Sequence, residues 1–158
     1  MTDDKILILG LGNDILTDDG IGPELVKDLS GRLDNSGYSF DTACCGGLEI
    51  IEHIKDYRKV FLIDAIRTEG GKPGNVYHLT PADFRETSNL SNLHDISFLT
   101  SIRLADKLKI DIPQELHIIA VEIIEDRVFS SEFTPEIIEK YPAILETVYE
   151  LIIDKSGI

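Results

Sequence analysis

The run KILILG at residues 5–10 passes directly into LGNDILTDDGIGP at residues 11–23, and this junction leaves the chain few folds to choose from. An apolar run of strand length with no alternation reads as a strand buried on both faces, which is how strands of a helix-covered parallel sheet look. Pro23 has no backbone N–H and would clash with the carbonyl four residues back, so a helix tolerates it only in its first turn. The helix therefore starts near Gly20 to Gly22. Asp18 and Asp19 are then expected in the loop just before it, with their side chains free.

The rest of the chain repeats the alternation. Leu25, Val26 and Leu29 make a helical stripe, and YSFDTA reads as a second strand. GGLEIIEHIK, with Leu48, Ile51 and Ile54 at helical spacing, reads as a short crossover helix. KVFLIDA is a third buried strand ending at Asp64, and EGGKPGN is a turn leading to a strand VYHLT that stops before Pro81. ADFRETSNLSNLHD is polar and irregular. It precedes a helix marked by Ile96, Leu99, Ile102 and Leu108, and ELHIIAVEI is the last strand. Thr134 is expected to cap a helix beginning at Pro135, and Pro142 to kink or restart it. Alternation of this kind predicts a mostly parallel sheet covered on both faces, within a single domain spanning 1–158.

Charge and cysteine usage narrow the function. With 15 Lys and Arg against 29 Asp and Glu, the formal net charge of −14 repels phosphate backbones and anionic membranes, so neither nucleic acid nor membrane is expected as a partner. Cys44 and Cys45 are neighbours and cannot make the ordinary disulfide between distant segments; they read as small buried thiols in a reducing, cytoplasmic setting. The N-terminus MTDDKILILG has acids where a signal peptide carries basic residues, and no run approaches the ~20 apolar residues of a membrane span.

A glycine turn between a strand and a helix usually holds phosphate. Here the third glycine of G-x-G-x-x-G and the P-loop lysine are missing, and adjacent carboxylates would repel an anion. A cation or a basic group suits this loop better, although a nucleotide-binding domain using Gly10 and Gly12 is a rival reading. Ligands of such sheets bind at the carboxyl ends of strands. Asp19 follows the first strand, Asp64 ends the third, and His94 follows the fourth, so all three are expected at one edge. Taken singly, Asp64 reads equally as a cap and His94 as a surface residue. Together, two carboxylates and an imidazole suit a divalent transition metal such as nickel or zinc. Asp18 reads as a local loop or cap hydrogen-bonder. His53, His78 and His117 lie within predicted elements and read as structural or solvent-facing. Neither a G-x-S-x-G elbow nor an H-E-x-x-H helix is present.

LILGLGNDILTDDGIG resembles the G-x-G-N…D-[DE]-x-x-G signature of the hydrogenase maturation endopeptidases. VFLIDAI resembles that family's strand ending in Asp-Ala, and NLHDISF its single-histidine segment before a helix. The resemblance implies a three-layer α/β/α, phosphorylase/hydrolase-like fold with a twisted, mostly parallel sheet of about five strands. It implies an aspartyl-type endopeptidase that removes the C-terminal extension of a nickel–iron hydrogenase large-subunit precursor after nickel insertion. Asp19, Asp64 and His94 would serve as catalytic and metal-binding residues, and the nickel would be carried by the precursor rather than held permanently. The chain is expected to act as a cytoplasmic monomer. The family's glycine-rich GGT-x-G segment stands here as TACCGG, a departure that bears on which hydrogenase is served. A non-catalytic nickel chaperone for hydrogenase assembly is the alternative from a different class.

Overall fold

Three strands that carry apolar residues on both faces can be buried only between two layers of helices. The computed structural model describes residues 4–44, 48–83 and 101–158 and has that arrangement. Its elements are β1 (Ile6–Leu11), a 3-10 turn (Thr17–Gly20), α1 (Ile21–Ser30), β2 (Tyr38–Ala43), α2 (Leu48–Ile54), β3 (Lys59–Ile66) and β4 (Val76–Leu79). A helical segment at 101–107 (α3), β5 (Glu115–Glu122) and α4 (Pro135–Ser156) follow.

The five strands form one sheet in the order β2-β1-β3-β5-β4. β2, β1, β3 and β5 run parallel, and β4 pairs antiparallel with β5 at the edge, so the sheet is mostly parallel as expected. Side chains alternate between its two faces. Ile6 and Ile8 of β1, Phe61 and Ile63 of β3, and Ile119 and Val121 of β5 meet α1 and α4 in one cluster. Leu7, Leu9, Val60, Leu62 and Ile118 meet α2 and α3 in the other. The chain leaves β1 for β2 on one side and returns to β3 on the other, which opens a crevice at the carboxyl ends of β1 and β3.

Most boundaries fall where sequence reasoning put them, and the differences have physical causes. The segment preceding α1 is not an open loop but the 3-10 turn, and Asp18 and Asp19 lie within it. Thr134 is the N-cap residue of α4, yet its side chain makes no cap hydrogen bond; the hydroxyl is turned to the Asp18 carboxylate, to which it donates. Pro142 neither restarts nor interrupts α4. The N–H it lacks would have bonded the carbonyl of Ile138, and both residues are exposed, so water can satisfy that carbonyl. Cys44 is exposed rather than buried, and Cys45 lies outside the described residues. The expected helix from Ile96 is described only from residue 101.

At the amino end of the sheet, His78 and His117 pair, Nε2 to Nδ1, at 2.8 Å, and His117 stacks on Phe61. The Glu115 carboxylate lies 3.6 Å from the buried Nε2 of His117, and Lys59 bridges Glu115 to the last carbonyls of α4. Burial is the main cause that lowers the pKa of both rings below the ordinary 6.5, and each also lies near positive charge or the other ring. Because the unfolded chain takes up these protons first, the pair's contribution is complete above about pH 6.5 and declines as pH falls below it. Thermal unfolding between about pH 7.5 and about pH 5.5 should show a smaller loss of melting temperature in His78→Gln/His117→Gln than in the wild type. Equal losses would remove the pair from the acid sensitivity.

Candidate functional site

The carboxyl edge of the sheet is shaped by close backbone approach. A Cβ at Gly22 would lie 2.7 Å from the carbonyl oxygen of Ile63 and would also strike that of Leu11, so glycine lets the first turn of α1 sit directly over the ends of β1 and β3. Gly12 has φ +142° and faces the Asp19 carbonyl so closely that no Cβ fits. The loop can therefore fold back on itself. Asn13 then holds it: its N–H donates to Asp19 Oδ2 at 2.8 Å, and its side-chain oxygen accepts from the Ile15 N–H at 3.1 Å.

Asp19 and Asp64 come from neighbouring parts of this edge. Asp64 is the residue after Ile63, which pairs with Gly10 of β1. By strand alternation it shares a face with Leu62, on the side of α2 and α3. One of its oxygens accepts the Ala65 N–H at 2.8 Å. The 3-10 turn bearing Asp19 packs against β3. His94 lies outside the described residues. Among the described residues, no three His, Cys, Asp or Glu side chains group closely enough to hold a metal ion.

Asp18 departs from expectation more than any other site residue. It is 0% exposed, and its bonds are not local. Oδ2 accepts from the Ile124 and Glu125 N–H groups at 3.1 and 3.0 Å, while Oδ1 accepts from the Thr134 N–H at 2.8 Å. The carboxylate thus ties the 3-10 turn to the segment after β5 and to the start of α4. Its partners are 106 to 116 residues away, so no local pattern could reveal them.

Glu122 was not singled out by sequence reasoning. It ends β5 with 2% exposure, accepts the Thr68 N–H at 2.7 Å and takes the Thr68 hydroxyl on both oxygens at 3.0 Å. The signal was available, since AVE at the end of an apolar strand has the form that drew attention to Asp64. A cavity of about 370 Å³ also opens beside Gly20, lined by Asp14, Glu24, Glu132, Phe133 and Ile138. Of the other histidines, His53 on α2 pairs with Asp41 at 2.7 Å, in keeping with a structural role.

The family model described as hydrogenase maturation protease matches residues 23–151, a span that includes Asp64 and His94 and begins just after Asp19. No curated protein sequence matches at a significant level. Among solved structures, the chain is similar to the hydrogenase maturating endopeptidase HybD from E. coli, with a TM-score of 0.77 and 23% identity over 97% of this chain and 94% of that one. It is also similar to the NiFe hydrogenase maturation protease HybD from Thermococcus kodakarensis, with a TM-score of 0.67 and 24% identity over 93% and 98%. A hydrogenase 2 maturation peptidase from a Thaumarchaeota archaeon aligns with a TM-score of 0.64 and 25% identity over 97% and 98%.

The two adjacent acids should respond very unequally to substitution. Asp18→Ala leaves three backbone N–H groups without their acceptor and should destabilise the fold by on the order of 3 kcal/mol or more. Asp19→Asn keeps an oxygen for the Asn13 N–H and should change stability by less than about 0.5 kcal/mol. Urea unfolding of both variants checks this, and similar losses in the two would contradict the assignment.

Proposed function

The chain belongs to the hydrogenase maturation protease family, whose members cleave the C-terminal extension of the hydrogenase large subunit, and from that premise we propose that Asp19, Asp64 and His94 read nickel in the precursor and direct the cut. The ion is part of the substrate. Two carboxylates neutralise its charge and a neutral imidazole suits it as a ligand, so a precursor whose nickel has an open coordination position meets a matching set of donors. The observation that carries this reading is the position of Asp64 near the end of β3, one residue past its last pair with β1, beside the turn that bears Asp19 and at the crevice where the chain reverses its direction across the sheet.

The hydrolytic step needs only groups of this kind. A carboxylate of the pair takes a proton from water, the water oxygen adds to the scissile carbonyl carbon, the C–N bond breaks, and the departing amine receives the proton. We take the activity to be of the aspartyl type and the chain to work as a cytoplasmic monomer without nucleic acid or membrane. The acid surplus supports the last two points by repelling anionic surfaces, and no helix among the described residues is long and apolar enough to cross a membrane.

Incubation with nickel-loaded and nickel-free large-subunit precursor, followed by mass spectrometry, tests the reading. A shortened product from the loaded precursor alone is expected. Asp19→Asn and Asp64→Asn should each lower the rate by about 10²- to 10⁴-fold, while Asp19→Glu keeps substantial activity. A precursor left intact but relieved of its nickel would make the chain a chaperone. Wild-type rates in Asp19→Asn would remove that residue from the site.

A further inference from the structure

We infer that the clamped loop carrying Phe129, together with Ile15 and the acid-lined cavity behind them, is the docking surface for a segment of the hydrogenase large-subunit precursor that presents an apolar side chain next to a lysine or arginine. The inference rests on the proteolytic reading above and adds to it the chemistry of the segment that the site accepts.

Three large apolar side chains stand in solvent at the carboxyl edge of the sheet: Ile15 at 51%, Val128 at 59% and Phe129 at 78% exposure. A mobile tip would explain such exposure, but this loop is fastened along its length. Glu125 Oε1 accepts from the Arg127 and Val128 N–H groups at 3.1 and 3.0 Å, closing the turn from within. The Val128 carbonyl accepts the Thr17 hydroxyl. The Ser130 N–H donates to the Ile15 carbonyl and the Thr17 N–H to the Ser130 carbonyl, both at 3.0 Å, joining the two loops as a short parallel bridge. The Asp18 N–H donates to the Glu125 carbonyl at 2.9 Å, and the Asp18 side chain holds the neighbouring amides.

Thr17, a buried β-branched residue, is held at φ +54°, a conformation that persists only where the surroundings enforce it. An aromatic side chain kept in water on a preorganised loop is a contact waiting for its partner. Ordering it on binding loses little entropy, and burying it gains the apolar area.

The charge beside it sets the partner's sign. The same two segments continue from Ile15 to Asp14 and from Ser130 to Glu132, and there they line the cavity of about 370 Å³ with Glu24, Phe133 and Ile138. Three acidic residues together with Phe133 and Ile138 suit the cationic head and the long methylene stem of lysine or arginine. The cavity also borders Gly20, the residue that follows Asp19 in the 3-10 turn.

The test is affinity of the nickel-loaded precursor for the wild type and for Phe129→Ala by calorimetry, with cleavage kinetics alongside. Phe129→Ala should weaken binding and raise KM by at least about tenfold with kcat within about twofold and thermal unfolding unchanged. Glu24→Gln/Glu132→Gln should weaken binding at low salt and lose that difference at high salt. Unchanged affinity in Phe129→Ala, an unaltered salt dependence in the double variant, or failure of the wild type to bind the precursor would each overturn the proposal. So would a dimer seen by sedimentation that depends on Phe129, because a second copy would then be the occupant. Cleavage indifferent to Phe129 would leave the proteolytic reading standing, whereas Phe129-dependent binding without cleavage would preserve the docking surface and remove the protease.

Discussion

A buried carboxylate that pairs with no cation among the described residues survives in a folded protein only if hydrogen-bond donors replace its lost hydration, and Asp18 obtains them from two stretches of chain distant in sequence. Its own backbone lies in the turn between β1 and α1, two of its donors follow β5, and the third opens α4. Each of these three is an N–H that the end of a strand or the start of a helix leaves unpaired, and the Thr134 hydroxyl adds a fourth donor. One side chain thus closes the carboxyl edge of the sheet by satisfying, at once, backbone groups that would otherwise be buried without partners. The position of the turn follows from that closure, and with it the position of Asp19 and of the loop that bears Phe129.

The division of labour between neighbouring acids is a consequence of the turn's geometry. In a 3-10 turn successive side chains point about a third of a revolution apart, so Asp18 and Asp19 cannot face the same way. Asp18 is directed into the protein, while Asp19 turns back over its own loop to Asn13. Gly12 makes the return possible by leaving room beneath the Asp19 carbonyl. Asp18 can then serve stability while its neighbour stays available for the role proposed for Asp19.

What was legible in the sequence follows from which interactions are local. Strands buried on both faces announce themselves as unbroken apolar runs, so KILILG marks β1 and KVFLIDA falls short of β3 only by Ile66, while the half-exposed edge strand β2 also falls on YSFDTA. Pro23 marked the start of α1 because its restriction acts within one helical turn. Pro142 misled because the same restriction is harmless where the freed carbonyl faces water, and exposure is a tertiary property. Thr134 was correctly assigned as the residue before α4 but not as a side-chain cap, since its hydroxyl is turned to Asp18, a partner distant in sequence. The exposed state of Cys44 and the pairing of His78 with His117 likewise depend on what the fold brings near. At the site, the edge holding Asp19 and Asp64 was legible from the strand-end rule alone; His94 remains an expectation of the sequence.

The strand-end rule selects an edge but does not say which strand ends are available, and the comparison of Asp64 with Glu122 supplies that distinction. Both are acids at the carboxyl ends of adjacent parallel strands, and alternation directs both to the α2 side of the sheet. Glu122 is nearly enclosed, its two oxygens taken by Thr68, and a Cβ at Gly71 would strike its carboxylate, so the connection from β3 to β4 packs directly on it. That closure is a topological necessity: the chain must cross from β3 to an edge strand beyond β5, and its crossing covers the end of β5. Between β1 and β3 the chain instead departs in opposite directions, so neither the connection leaving β1 nor the one leaving β3 crosses the gap between them. A carboxylate near a strand end there, Asp64, is only partly buried, and the role proposed for it on a substrate as large as a protein subunit requires that accessibility.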